Sequence, residues 1–204
     1  MIKYPNGMIN KKIEQNVIKK TNIKKSHLGI DFESMINESN TYYLNHNIAS
    51  IYKKPTPIQI VRVDYPTRSK ARIVEAYYKT PSTTDYNGIY KGKYIDFEAK
   101  SCASNSFPFS KIYIHQIKHL ETVHNMGGIS FLLIEFSQKK EVFLLPTEKL
   151  LTEYNNSING GRKSIPYEYI KDNGVIVERG FNPRLNYLAA VDKYYFKKTK
   201  SSKK

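Results

Sequence analysis

The amino-acid sequence predicts an α/β domain built on a mixed central β-sheet. Segments with helical periodicity alternate along the chain with segments that have strand periodicity, as in folds where helices cover a sheet. The clearest strand is 93–100, where Ile95, Phe97 and Ala99 alternate with charged residues and would occupy one face. The length of 204 residues fits one such domain with short appendages.

The first half of the chain is predicted to contain one helix, a short strand and the alternating strand. Apolar residues recur at helical spacing over about 30–46. A strand is expected at 49–52, and the turn-forming residues 85–88 are expected to precede the strand at 93–100. Residues 101–108 are expected to form a loop.

The second half of the chain is predicted to return to the sheet twice between helices. A helix over about 110–125 should end near the glycine pair at 127–128, because glycine favours helix termini. The remaining predicted elements are strands at 129–136 and 141–145, a helix at 147–156 that Pro146 opens, a weak strand near 175–179 and a last helix at 183–195.

Positive charge is concentrated at the two ends of the chain and in the internal segment 53–79. The sequence has 33 Lys and Arg against 18 Asp and Glu, a net charge of +15. The two ends are rich in lysine, and we expect a mobile basic tail over 1–28 and a second basic tail over 196–204 around a near-neutral domain at 29–195. Such tails are either solvated and disordered or bind nucleic acid, and both interpretations stay open.

Several classes of protein are excluded by the composition. The single cysteine, Cys102, allows no intramolecular disulfide and no zinc site that needs several cysteines. His115 and His119 have zinc-like spacing, but without a HExxH motif a surface or phosphate contact is favoured. No apolar run is long enough for a membrane span, and the N-terminus lacks a signal sequence. We therefore expect a cytoplasmic protein, associated with the nucleoid, that binds a polyanion and no membrane.

Residues 53–79 are predicted to leave the sheet as a basic arm. Pro55, Pro57 and Pro66 are incompatible with a central strand, and 58–63 has the pattern of an extended ribbon. The segment carries seven basic residues, and Tyr65, Tyr77 and Tyr78, whose rings can stack on unpaired bases, flank them. A ribbon that stabilises a dimer is the alternative interpretation.

Two carboxylates and a lysine form the candidate site. Glu98 and Lys100 are two residues apart on a strand and therefore share a face, and a hairpin can bring Asp85 alongside them. Two converging carboxylates repel each other unless a cation lies between them. Oxygen ligands suit Mg²⁺, which promotes hydrolysis of phosphodiesters, and a nearby ammonium can neutralise developing charge.

The spacing Asp-x₁₂-Glu-x-Lys matches the PD-(D/E)xK nuclease signature without its proline. Longer blocks are more specific, and the chain resembles the RecU family of Holliday junction resolvases in MIKYPNG, KKPTPIQIVRVDYP, AYYKTPSTTDYNGIYKGKYIDFEAK, SFPFSKIYIHQIKH and NGGRKSI. The resemblance runs from about residue 29 to 195. It implies a restriction-endonuclease-like core with a protruding basic stalk, and a homodimer that cuts four-way DNA junctions symmetrically in recombination and repair. It also implies dependence on Mg²⁺, with Mn²⁺ as a substitute, and an action on the recombinase RecA.

Individual roles also follow from the resemblance. It implies a metal site formed by Thr83, Asp85, Glu98 and Gln116, with Lys100 as the lysine that activates water or stabilises the transition state. Contacts to DNA are expected from the arm and from a basic turn, namely Arg62, Arg68, Arg72, Tyr78, Arg162 and Lys163.

Two further carboxylates are less clearly assigned. Glu33 on the first helix could orient a metal-bound water molecule. Asp96 shares the face of Glu98 and Lys100, but the family pattern does not need it as a ligand.

We therefore expect a structure-selective DNA endonuclease, and two rival functions are weighed against it. A non-catalytic DNA-binding protein that modulates RecA would have lost at least one of Asp85, Glu98, Lys100 and Gln116, and all four are present. A restriction-type enzyme would need a helix rich in Arg, Asn and Gln to read base sequence, and none stands out.

Overall fold

The computed structural model describes residues 23–79 and 82–196, with side chains from residue 31 onward except that of Arg68. Most of the predicted N-terminal tail (1–22) and nearly all of the C-terminal tail (197–204) lie outside the described residues. Within the described ranges, no helix combines the length and the apolar character that crossing a membrane requires.

Five α-helices and ten strands form the described part of the chain. The helices are α1 Ile23–Asn45, α2 Ile114–Asn125, α3 Thr147–Ile158, α4 Tyr167–Asn173 and α5 Tyr187–Tyr195. The strands are β1 Ala49–Lys53, β2 Ile58–Asp64, β3 Arg72–Tyr78, β4 Tyr86–Tyr90, β5 Lys93–Cys102, β6 Ser106–Pro108, β7 Ile129–Phe136, β8 Glu141–Pro146, β9 Ser164–Pro166 and β10 Val175–Val177.

Six of these strands form the central sheet, in the order β1-β4-β5-β7-β8-β10. Strands β5 and β7 are parallel, and the other neighbours are antiparallel. The parallel pair requires a crossover, and α2 provides it. The predicted mixed α/β sheet is confirmed.

Helices cover both faces of the sheet, and the central strands are therefore buried on both sides. Helices α1 and α5 pack on one face, while α2, α3 and α4 pack on the other. All eight residues of β7 are buried, as expected for a strand between two helical layers. Phe97 on β5 stacks between Tyr86 and Phe131, with ring centroids 4.8 Å apart on each side.

The predicted arm is present as a separate two-stranded ribbon of β2 and β3. It lies in sequence between β1 and β4, which are neighbours in the sheet, and a short 3₁₀ turn at Arg68–Lys70 forms part of the connection between its strands. All of the side chains of β3 and all but one of those of β2 are exposed. The ribbon therefore projects from the domain, as its prolines predicted.

The structure corrects two predicted boundaries near the arm. Helix α1 begins at Ile23, so residues 23–28, predicted to belong to the mobile tail, are its first turns. Asn87 and Gly88 lie within β4, and the turn before β5 is at Lys91-Gly92, both with positive φ. Gly88 is needed because a Cβ there would lie 2.0 Å from the carbonyl oxygen of Ser50 on β1.

Several shorter elements were also placed wrongly or missed. The segment 101–108, predicted as a loop, contains the end of β5 and strand β6. Strand β6 pairs with β9, and helix α4 follows β9 in a region predicted to be irregular. Helices α2 and α5 each start about four residues later than predicted, at Ile114 and Tyr187.

We expect Phe97→Ala to lower the free energy of unfolding by about 4 kcal/mol, because it leaves a cavity between two stacked rings and β5 cannot collapse to fill it. Denaturant unfolding followed by circular dichroism measures the change. Tyr65→Ala is the control, since Tyr65 is 68% exposed on the arm, and it should change stability by no more than about 0.5 kcal/mol. Equal losses for both variants would contradict the assigned core.

Candidate active site

Asp85, Glu98 and Lys100 meet where the β4–β5 hairpin opens. Tyr86 pairs with Phe97, so Asp85, just before Tyr86, and Glu98, just after Phe97, are neighbours in the next register position. The backbone N–H of Asp85 donates to Glu98 Oε2 at 3.1 Å. The Lys100 ammonium donates to Glu98 Oε1. The hairpin thus brings together the three residues that the spacing suggested.

The polar face of β5 is buried against the α2 layer and is not the solvated face of a sheet. Asp96 and Glu98 are both 0% exposed, although both are carboxylic acids. The pKa of Glu98 is raised to about 7, chiefly by burial, with Lys100 lowering it and Asp85 raising it. A carboxyl group whose pKa is raised in this way is typical of functional sites.

A cleft of about 610 Å³ opens beside the hairpin. Asp85 and Lys100 line it together with Glu33 of α1, which forms an ion pair with Lys53 at 2.5 Å. Tyr86 also lines the cleft, and its buried hydroxyl has no hydrogen-bond partner among the described residues.

Lys111 was not singled out in the sequence, although it lies in the block SFPFSKIYIHQIKH. It lines the cleft from the 3₁₀ turn before α2, and its ammonium donates to the carbonyl of Ser101 at 2.6 Å. Its position depends on the fold of residues 101–113, which the sequence did not reveal. A second cation therefore lies at the rim of the cleft, in addition to Lys100.

Thr83 and Gln116 occupy different positions relative to the carboxylates. Thr83 is half-buried two residues before Asp85. Gln116 is buried on α2, and its Oε1 accepts from the backbone N–H of Tyr113 at 3.0 Å, so that it caps the helix. Among the described residues no hydrogen bond joins the Gln116 side chain to Asp85 or Glu98. Its carbonyl oxygen has a second lone pair that can still take part in other contacts.

The donor set fits a hard divalent cation. In the part of the chain that the structure describes, no three His, Cys, Asp or Glu side chains cluster as a metal site. Asp85 and Glu98 offer two carboxylates, and Thr83 and Gln116 would add neutral oxygen donors. Mg²⁺-type ions are commonly bound by one or two carboxylates plus water and substrate phosphate. Such a charge would relieve the repulsion between the half-buried Asp85 and the buried Glu98.

Asp96 lies in a separate hydrogen-bond network and makes no direct contact with Glu98. Its carboxylate contacts Lys54, Thr84, Tyr94 and His119. The prediction of a surface or phosphate contact for His119 was therefore wrong: its Nε2 lies 3.2 Å from Asp96 Oδ2, and the side chain is only 22% exposed.

The arm residues predicted to bind DNA are exposed. Arg62 and Tyr78 are exposed, and Arg72 is exposed while paired with Asp64 at 3.2 Å. The side chain of Arg68 lies outside what the structure describes.

The basic turn of Arg162 and Lys163 lies between α3 and β9. The Lys163 ammonium donates to the carbonyl of Ser157 at the end of α3, which leaves Arg162 as the more accessible cation. The carbonyl of Lys163 accepts from the backbone N–H of Phe109 at 3.1 Å, two residues before Lys111. The turn therefore lies beside the rim of the cleft.

Comparisons with known proteins show which family the chain resembles. The family model of Recombination protein U (RecU) matches residues 27–193. Proteins named Holliday junction resolvase RecU from Bacillus cereus (strain AH820) and Bacillus thuringiensis subsp. konkukian (strain 97-27) are each 48% identical over 199 residues, which cover 96% of this chain and 98% of each relative. Among solved structures, the Holliday junction resolvase Hjc of Archaeoglobus fulgidus matches with a TM-score of 0.43 and 11% identity, over 71% of this chain and 93% of that chain.

We expect Glu98 to make the metal-free protein less stable as the pH rises. Its pKa is raised from 4.5 to about 7, so between these values the folded state holds a proton that the unfolded state has lost. The stabilisation is complete below about pH 4.5 and is lost as the pH rises through about 7. Relative to Glu98→Gln, wild type should lose on the order of 3 kcal/mol between pH 4.5 and 8. Denaturant unfolding in EDTA at each pH measures it.

The control for this pH series is Gln138→Ala, a neutral exchange at an exposed position between β7 and β8. Its stability difference from wild type should not change with pH. If the difference between wild type and Glu98→Gln is equally constant, Glu98 titrates as an ordinary carboxyl group and the assigned electrostatics are wrong.

Proposed function

This chain belongs to the Recombination protein U family, and from that premise we propose that it is a structure-selective endonuclease that cuts four-way (Holliday) DNA junctions. The observation that carries the proposal is the hairpin that holds Asp85, the buried Glu98 and Lys100 together beside the cleft. The relatives are named Holliday junction resolvases, and the family match covers both the hairpin and the arm. We infer the same substrate class for this chain.

We propose Mg²⁺ as the cofactor, with Mn²⁺ able to replace it. Asp85 and Glu98 would hold the ion, with Thr83 and Gln116 as neutral oxygen donors. When bound, the ion supplies positive charge at the scissile phosphate and lowers the pKa of a water molecule. The requirement for ionised ligands means that Glu98, with its raised pKa, must lose its proton for the site to be filled.

The residues of the chain itself orient the reaction and stabilise its charge. Glu98 and Lys100 lie on the part of β5 that pairs with β7, just beyond its last pair with β4, so their backbone would not need to reorganise when the phosphate arrives. Lys100 places an ammonium in the cleft, where negative charge develops on the phosphate oxygens during hydrolysis. Lys111, which lines the cleft, and Arg162, which is exposed in the turn after α3, would hold the flanking phosphates of the bound strand.

We propose that the arm recognises the branch point of the junction. It projects from the domain with basic residues and exposed tyrosines, and it is rooted next to Asp85. A branched DNA offers an open centre with converging phosphates and weakly stacked bases, which linear duplex lacks. Phosphate contacts from the arm and aromatic stacking by Tyr78, which is 84% exposed, would therefore favour junctions over duplex.

Symmetric resolution requires two cuts on opposed strands, and we propose a homodimer whose two sites are related by a two-fold axis. A two-stranded ribbon is at best marginally stable alone, and this one exposes Ile60, Val61 and Val74 at about half of their surface. Contact with DNA or with the second copy would cover these side chains. On family membership alone, we extend the proposal to an action on RecA during repair at the nucleoid.

The chemistry is tested by Asp85→Asn, Glu98→Gln and Lys100→Ala. Each should lower the rate of junction cutting by roughly 10²-fold or more, because each removes a charge that phosphoryl transfer needs. Binding to the junction should persist, and a synthetic four-way junction with Mg²⁺ or with EDTA separates cutting from binding.

Glu135→Gln is the matched control for these variants. Glu135 is also a buried carboxylate on a central strand, paired with Arg179 at 2.8 Å, and its replacement should leave cutting within a few-fold of wild type. Near-normal cutting by Lys100→Ala would show that the site is assigned wrongly. Cutting that persists in EDTA would refute the metal-dependent mechanism.

The arm is tested by combining Arg62→Ala, Arg68→Ala and Arg72→Ala. We expect lower junction affinity and a salt dependence whose logarithmic slope falls by about one for each phosphate that the arm no longer binds. Metal binding and the dimer, measured by light scattering, should survive. Replacing the arm by a short Gly-containing turn should bring the affinities for junction and linear duplex closer together.

The control for the arm removes three exposed lysines elsewhere, Lys139, Lys171 and Lys193, as alanine variants. It lowers the net charge by the same amount without touching the arm. A shortened arm with an undiminished preference for junctions would show that selectivity arises elsewhere, such as from the spacing of the two clefts in the dimer.

A further inference from the structure

Asp96 is a buried carboxylate outside the metal site, and its acceptor capacity is filled. It is 0% exposed on β5, and its Oδ2 lies 2.8 Å from Lys54 Nζ, 2.8 Å from the Tyr94 hydroxyl and 3.2 Å from His119 Nε2. The Thr84 hydroxyl donates to its Oδ1. An ionised carboxylate accepts about four hydrogen bonds, so the protein itself satisfies Asp96. It is therefore poorly placed to become a ligand for metal or substrate.

Two of these partners come from the two roots of the arm. Lys54 follows β1, where the chain leaves the sheet, and Thr84 precedes β4, where the chain returns. The Lys54 ammonium also donates to Thr84 Oγ1 at 3.2 Å, and the Lys54 backbone N–H donates to the carbonyl of Asp85 at 2.7 Å. Asp96 thus binds both roots at the point where they are already joined to each other.

The same contacts reach the residues proposed to bind metal. Thr84 lies between Thr83 and Asp85 in the chain, so the hydrogen bond to Asp96 fixes the backbone that presents both side chains. Asp96 precedes Glu98 by two residues on the same face of β5. His119 is three residues after Gln116 on α2, which places the two on neighbouring positions of one helical face.

We propose that Asp96 is a positioning residue that holds both roots of the arm and the Thr83–Asp85 segment in register with Glu98. It does not touch the reacting atoms, and the metal affinity of the site depends on it. The inference rests on the proposed metal site at Asp85 and Glu98. Asp96 would thus anchor both the arm and the metal site. Neither the family pattern nor the spacing of the nuclease signature indicates this role.

Metal binding by the DNA-free protein tests the inference without using cleavage. Mn²⁺ is titrated into the full chain, and the free ion is measured by electron paramagnetic resonance. Asp96→Asn keeps the shape of the side chain but removes its charge and turns one acceptor atom into a donor. We expect roughly tenfold weaker Mn²⁺ binding, the usual effect of losing an outer partner of a metal site. Amide hydrogen exchange at Asp85 and Lys54 should rise in the same variant.

Glu135→Gln is the matched control, because it also neutralises a buried carboxylate on a central strand that is paired with a cation. It should keep the wild-type affinity for Mn²⁺ within about twofold and the wild-type exchange rates at Asp85 and Lys54. Equal weakening in the two variants would overturn the inference, because it would show only a general effect of lost stability.

Two milder variants keep the test valid if Asp96→Asn does not fold. Thr84→Val removes one hydrogen bond at the return root, and Lys54→Met removes the ammonium at the exit root. Each should weaken Mn²⁺ binding severalfold. Wild-type affinity in all folded variants overturns the inference while the metal site stands, whereas absence of Mn²⁺ binding by wild type overturns both.

Discussion

The burial of the Glu98 carboxylate on strand β5 is the constraint on which the site depends. Strand β5 pairs with β4 on one side and β7 on the other, and helical layers cover both of its faces. Water cannot solvate Glu98 there, so its charge has to be balanced by Lys100, by the Asp85 N–H and by a cation. The rigidity that would orient the proposed catalytic groups and the electrostatic strain that would favour a metal ion therefore have the same origin.

The parts of the fold that were predictable are those in which sequence-local patterns decide the structure. Strand β7 is a mostly apolar run, so the sequence alone indicates where it begins and ends. The glycine pair after α2 likewise marks the end of that helix. Gly88 was assigned to a turn because its need for glycine comes from the close approach of β1, a contact between distant segments. Strands β6 and β9 are short and pair across more than fifty residues, so no local period marks them.

In the candidate site, too, local sequence patterns predicted some features, and contacts between distant segments determined others. The spacing of Asp85, Glu98 and Lys100 was sufficient to place them together, because one hairpin and one strand period fix their relation. The network of Asp96 depends on donors from other elements, namely Lys54 and His119, and no spacing in the sequence indicates those contacts. Strand alternation put Asp96 on the same face as Glu98, but its separate hydrogen-bond network became visible only once its partners were known.

The arm and the metal site have to be considered together, because the fold joins them at one place. Among the described residues no helix covers the ribbon, and its exposed apolar side chains give it little stability of its own. The conformation of the arm therefore depends on the contacts at its two roots and on the molecule that covers its strands. The roots are fixed by Asp96 and by the backbone of Asp85, the segment that bears one of the proposed metal ligands. On the proposed function, a junction that engages the arm would act on backbone that also positions Asp85, and a few hydrogen bonds would link recognition of DNA shape to hydrolysis.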